Sequence, residues 1–151
     1  MTVTDRDMGY DAVVKLMRSA GISADIGVFS GDVDNEGGSI AEYASANEYG
    51  TSKIPSRPFM RTAFDESEKE AYTKIRDSIR SGILNKSYSI KKSVGVGAEF
   101  LRASIVLKIK SAAAWAERNA DSTIALKGMN RPLVMHGIMW KAMHTRIERS
   151  L

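Results

Sequence analysis

Asn47-Glu48-Tyr49-Gly50-Thr51-Ser52-Lys53-Ile54-Pro55-Ser56-Arg57-Pro58-Phe59-Met60-Arg61 is the stretch on which the reading of this chain turns. Pro55 and Pro58 fix their own φ and push Ile54 and Arg57 towards extended backbone, while Gly50 admits a bend. Such a connection is stiff by its own sequence. Phe59 and Met60 can seat it on a core, which leaves Arg57 and Arg61 to make planar, multidentate hydrogen bonds with carboxylates, carbonyls or phosphates. Two uses follow: anchoring the loop inside its own domain, or contacting a second subunit. Glu48, Arg57, Phe59 and Arg61 are the candidate contact residues for the second use.

Working outward, the spacing predicts a long amphipathic helix from Thr62. Thr62 can cap it, Asp65 and Glu66 suit its positive end, and Phe64, Ala71, Ile75, Ile79 and Ile83 form one stripe. Gly82 and Asn85 mark its end. Residues 94–111 fit both helical and alternating periods, and length together with Ala and Glu content favours helix. Residues 112–121 read as irregular with a turn near Trp115, 122–126 as another turn before Gly128, and Met143, Thr145 and Ile147 as a terminal strand. On the N-terminal side, Tyr10, Val13, Val14, Leu16 and Met17 predict a helix over 10–19 that stops at Gly21. Alternation at Ala24, Ile26 and Val28 predicts a strand over 22–30, and the Gly, Asp and Asn content of 31–39 a flexible loop. Periodicity leaves 40–46 open between helix and strand. The pattern describes one α+β domain over 1–151, with long amphipathic helices packed on a small antiparallel sheet.

With 151 residues, a hydrophobic fraction of 43% and a charged fraction of 26%, the chain can bury one core and is expected to fold. It has no cysteine, which excludes disulfides, thiolate metal sites and cysteine nucleophiles and suits assembly in a reducing cytoplasm. The polar N-terminus is unlike a signal peptide, and no stretch approaches the roughly 18 apolar residues of a membrane span. Twenty-two basic residues against 18 acidic ones give +4. These charges are interspersed, so a concentrated nucleic-acid stripe is missing. The small clusters Lys91 with Lys92 and Lys108 with Lys110 are candidates for facing DNA that passes nearby.

The chain offers little for catalysis. His136 and His144 stand eight positions apart with no acidic residue between them, which supports neither a zinc motif nor an ordered triad. Gly95 and Gly97 form an isolated Gly-Val-Gly without the rest of a dinucleotide fingerprint or a Walker lysine. Asp32, Asp34 and Glu36 have the spacing of the first calcium-loop ligands but lack the glycine and distal glutamate, so a solvated acidic turn is the better reading. Neither cofactor, metal nor enzymatic activity is expected.

The stretch quoted first resembles the tail-completion or neck family of tailed phages, which includes proteins like minor tail protein Z. Members carry approximately Asn-Glu-Phe-Gly-Thr and then Ile-Pro-Ala-Arg-Pro-Phe-Leu-Arg ahead of a long helix. Asn47, Glu48, Tyr49, Gly50, Thr51, Ile54, Pro55, Arg57, Pro58, Phe59 and Arg61 fall into that pattern. A second block matches at Asn119, Thr123, Ile124, Lys127, Gly128, Pro132, Leu133 and Gly137, and departs at Met135 and His136, where the family tends to have Asp and Thr.

The resemblance implies a structural virion protein, assembled in the host bacterial cytoplasm, that forms or completes a ring at the head-to-tail junction around the DNA path. Its partners would be further copies of itself, six favoured and twelve possible, and the neighbouring head-connector and tail-terminator or tail-tube proteins. Genomic DNA would pass through the lumen without sequence-specific binding, with Lys91, Lys92, Lys108 and Lys110 as candidate lumen-facing residues, and no membrane is involved. A heterologous interface that closes on itself is the physical requirement for such a part. The alternatives are a small basic nucleic-acid-binding module, whose affinity for free DNA would fall steeply with salt, and a small hydrolase, for which nucleophile, base and orienting group are all lacking.

Overall fold

A computed structural model describes residues 21–87, 89–134 and 137–149. The helix expected over 10–19, and the departures at Met135 and His136, lie outside the described residues. Strand β1 (Ile22–Gly27) is followed by helices α1 (Ile40–Tyr49), α2 (Phe59–Leu84), α3 (Ile90–Lys110), α4 (Ala112–Trp115), α5 (Asp121–Lys127) and α6 (Ile138–Lys141), and by strand β2 (His144–Arg149). The architecture is α+β, with the long helices packed on a two-stranded antiparallel sheet.

The sheet joins the two ends of the described chain. Ile22 pairs with Arg149 and Gly27 with His144, and the half-buried residues Ile22, Ala24 and Ile26 share one face. The strand expected over 22–30 stops at Gly27, whose partner His144 is the first residue of β2. Val28 then packs against the core. In the turn that follows, the Asp34 carboxylate accepts from the N–H groups of Glu36 and Gly38, and Val33 bridges to Ser39. Asp34 is thus a turn residue of the kind expected for short acidic loops. Ser39 caps α1 by accepting from the Glu42 N–H at 3.3 Å, which settles 40–46 as helix.

Helices α2 and α3 form an antiparallel pair. Ser78 meets Ser93 at 3.0 Å, Lys74 lies over the Phe100 ring, and Lys108 bonds Glu66 at 2.6 Å, so residues match in a steady antiparallel register. At the closest approach a Cβ on Gly97 would stand 2.4 Å from Ile75 Cγ1 and 3.1 Å from the Ala71 carbonyl oxygen. Two residues earlier, a Cβ on Gly95 would meet Ile147 of β2 at 3.1 Å. The Gly-Val-Gly of α3 is therefore a packing device that lets the helix approach α2 on one side and the sheet on the other.

The core collects at the C-terminal end of α3. Ile105 and Ile109 pack with Ala44, Phe59, Ala63, Ala112, Leu133, Met139 and Met143, and Phe59, Ile109 and Ala112 are fully buried. Residues from before α2 and from after α5 thus share one cluster. Leu133 reaches it with a positive φ of 60°, a conformation costing of order 1–3 kcal/mol for a non-glycine residue, which burial of its side chain offsets.

Gly97→Ala should lower stability by about 1–2 kcal/mol in urea unfolding, because overpacking at Ile75 and Ala71 outweighs the gain in helix propensity. A stabilised Gly97→Ala protein would show that the two helices do not meet as described.

Candidate functional site

Helix α2 starts at Phe59, three residues before the expected Thr62, and the reason lies in its capping. Pro58 occupies the N-cap position with no side chain able to accept a bond. The first N–H groups of a helix have no partner within it and must find one elsewhere. Here the Glu48 side chain, projecting from the end of α1, supplies it: Oε2 accepts from the Met60 N–H at 2.9 Å and Oε1 from the Arg61 N–H at 3.1 Å. The Phe59 N–H bonds the Arg57 carbonyl at 2.8 Å and the Thr62 N–H the Pro58 carbonyl at 3.4 Å, so the first turn is fully partnered. A carboxylate at this end also interacts favourably with the helix dipole.

Between the two helices the chain folds on itself. Gly50 closes α1 at φ 80° and ψ 167°, a region open in practice to glycine alone, and its N–H bonds the Ala46 carbonyl. A Cβ there would lie 3.0 Å from the Ser56 nitrogen. Thr51 Oγ1 accepts from the N–H groups of Lys53 and Ile54, and the Thr51 N–H bonds the Ile54 carbonyl at 2.8 Å. The Ser56 hydroxyl donates to the Glu48 carbonyl, and the Arg57 N–H donates to the Asn47 carbonyl. The stiffness expected from Pro55 and Pro58 is thus reinforced by bonds on both sides of the turn.

Arg57 is 5% exposed and runs inward. Its Nε donates to the Glu117 carbonyl at 2.9 Å, Nη1 to Asn47 Oδ1 at 3.2 Å, and Nη2 to the Arg118 carbonyl and Asn119 Oδ1 at 3.3 and 3.4 Å. These acceptors are all uncharged oxygens, and three of the four lie some sixty residues away in sequence. The guanidinium therefore ties the turn to the segment between α4 and α5. Asn119 is held in turn by its own N–H to Asn130 Oδ1.

This placement corrects part of the expectation. Glu48, Arg57 and Phe59 are buried, at 2%, 5% and 0% exposure, with their partners inside the same chain, so they offer no surface to a neighbouring subunit. The physical reason is that unpaired helix-end N–H groups and loop carbonyls claim these polar groups first. Arg61 differs. Its Nε pairs with Glu48 Oε1 at 3.0 Å and its Nη2 bonds the Glu48 carbonyl, yet its side chain is 55% exposed and lies against the ring of Tyr49, itself 68% exposed. Arg61 and Tyr49 are where the motif reaches the surface.

The four lysines are not brought together. Lys91 and Lys92 are exposed in the first turn of α3, whereas Lys108 and Lys110 stand in its last, about 25 Å away along the axis. Lys108 is bound to Glu66 and lies over Trp115, and Lys110 lies over Trp140. Among the described residues no cluster of His, Asp and Glu has the form of a metal site, and no helix is long and apolar enough to cross a membrane. Sequence reasoning named Asn47 and Asn119 in the two matching blocks but missed their role as buried partners of Arg57, since nothing in a single sequence links positions so far apart.

The buried Arg57 charge reaches two titrating neighbours. Burial pushes the Tyr43 hydroxyl up, with Arg57 and a hydrogen bond from Asn47 acting against that shift. Burial pushes the Lys127 ammonium down, and Arg57 adds to the effect. The folded Lys127 thus sheds its proton more readily than the unfolded one. Between its lowered value and 10.5 the unfolded chain holds more protons, and this group makes stability rise with pH across that window.

Comparison with family models, with curated proteins and with solved structures finds no match.

Three outcomes are expected in urea unfolding. Arg57→Ala should cost about 3–5 kcal/mol, because it strands several buried acceptors. Glu48→Ala should cost about 2–4 kcal/mol through loss of the cap and its charge-assisted bonds. Lys127→Met should flatten the rise of stability between neutral pH and 10.5 relative to the parent chain; an unchanged slope would remove Lys127 as its source.

Proposed function

We propose that this chain is a structural ring subunit at the head-to-tail junction of a tailed phage, of the tail-completion or neck type, placed around the DNA path. One observation carries the reading. The two sequence blocks that resemble that family are a single hydrogen-bonded unit in the fold, since Arg57 of the first block bonds Asn119 of the second, and Phe59 and Leu133 share one core cluster. Residues that a family pattern picks out for separate reasons have no cause to converge; residues that define a common fold do.

The work of such a subunit is done by complementary surfaces rather than by a reacting group. A heterologous contact repeated around an axis closes into a ring only when each subunit holds its two contacting faces at a fixed angle. The clasp of Glu48 and Arg57 supplies that rigidity by fixing α1, the start of α2 and the segment after α4 to one another. The exposed pair Tyr49 and Arg61 lies directly over the clasp and is the part of the motif best placed to meet a neighbour, whether a further copy or an adjoining head-connector, tail-terminator or tail-tube protein. DNA would pass without sequence-specific contact. The rival reading, a nucleic-acid-binding module, calls for a continuous basic stripe, and the lysines singled out stand at opposite ends of α3.

Electron microscopy of the purified chain, alone and mixed with phage tail tubes, should show closed rings or rings seated on tube ends. Tyr49→Ala should keep its unfolding free energy within about 0.5 kcal/mol, as expected for an exposed side chain, while reducing ring formation. A stable monomer that binds neither heads nor tail tubes would contradict the proposal.

A further inference from the structure

A bowl of about 420 Å³ opens between the end of α5, the segment after it and α6. Leu126, Met129, Val134 and Trp140 make its walls apolar, and Leu126 is 81% and Met129 49% exposed. The charged residues of its lining are Lys127 and Arg131, with no carboxylate among the described residues that form it. Lys110 adds a third cation at the rim, since its ammonium lies 5.4 Å from the centroid of the Trp140 ring.

These cations are set apart from others in the fold. Arg61, Lys74, Arg102, Lys108 and Arg118 each have a carboxylate within ion-pair distance. Lys110, Lys127 and Arg131 have none among the described residues. Lys127 is half-buried, and its Nζ donates only to the Val134 carbonyl, at 3.3 Å. A charge drawn out of water without a counter-charge is costly, and the buried guanidinium of Arg57 adds to that cost through space. A carboxylate arriving at the bowl relieves it.

We infer that the bowl docks an acidic segment of a partner protein, which inserts a bulky apolar side chain between Leu126, Met129 and Trp140 and sets a carboxylate against Lys127 and Arg131. Exposed apolar surface rimmed by charge marks such a contact. Trp, Met and Arg are also the residue types that gather at the centres of protein interfaces. Duplex DNA would match the cations but has no side chain to fill the apolar walls. The chain itself carries +4, so the complementary charge is expected from a different protein rather than from a second copy. Docking of this kind does not require a ring: a chain that fails to assemble would still bind the segment.

Fluorescence anisotropy of a fluorescein-labelled peptide, Glu-Asp-Phe-Leu-Glu-Asp, tests the bowl on the full chain. The peptide should bind saturably. Replacing its Phe and Leu by Ala, or its acids by Gln and Asn, should weaken binding at least about tenfold. Arg131→Glu, at an exposed position that leaves the fold intact, should weaken it by about tenfold or more, and Leu126→Ala by about fivefold. Lys91→Glu, which changes net charge equally at the far end of α3, should bind within about twofold of the parent chain. Absence of saturable binding would overturn the inference, and so would equal affinities of the parent and Arg131→Glu chains. A labelled DNA duplex that binds more tightly than the peptide, and is lost in Arg131→Glu but kept in Lys91→Glu, would overturn it in favour of nucleic acid.

Discussion

The first turn of α2 has unpaired N–H groups, a proline at its cap, and no side chain of its own to satisfy them. Everything distinctive about this fold follows from how that constraint is met. Glu48 reaches across from the preceding helix and accepts from two of the N–H groups at once, so the end of α1 and the start of α2 share one buried carboxylate. The turn between them must then be short, bent at Gly50 and stiffened at Pro55 and Pro58. Phe59, the first helical residue, is delivered to the centre of the core.

Arg57 extends the same logic over a longer range. A buried guanidinium is tolerated only when its donors are satisfied, and here they bind the carbonyls and amides of the segment after α4. Phe59, two residues after Arg57, packs in one cluster with Ile105, Ile109, Leu133 and Met143, which joins the N-terminal and C-terminal parts of the domain. At the other end of the long helices, Gly95 and Gly97 allow α3 to sit close to both α2 and the sheet.

Much of this was legible in the sequence. The α+β class, the two long helices, the terminal strand and the special character of residues 47–61 all follow from hydrophobic period and from the backbone chemistry of proline and glycine. The direction in which the polar side chains turn was not legible. Glu48 and Arg57 read equally well as surface contacts or internal ties, because the choice depends on which backbone groups lack partners, and that is fixed only once Pro58 becomes the cap and residues 117–119 arrive alongside. Thr62 looked like the cap because a side-chain oxygen there suits the local pattern; a cap supplied from twelve and thirteen residues upstream of the N–H groups it holds leaves no local trace. The lysine pairs 91–92 and 108–110 read as two small clusters with no radial direction, and α3 holds them at its opposite ends.

Amide hydrogen exchange at Met60 and Arg61 tests the central claim most directly. N–H groups in the first turn of a helix ordinarily exchange early, since that turn frays. If the Glu48 carboxylate holds them, both amides should be protected nearly as strongly as those in the buried middle of α2, and Glu48→Gln should release them ahead of the rest of the helix. Rapid exchange of Met60 and Arg61 in the parent chain, at the rate of an uncapped first turn, would contradict the account.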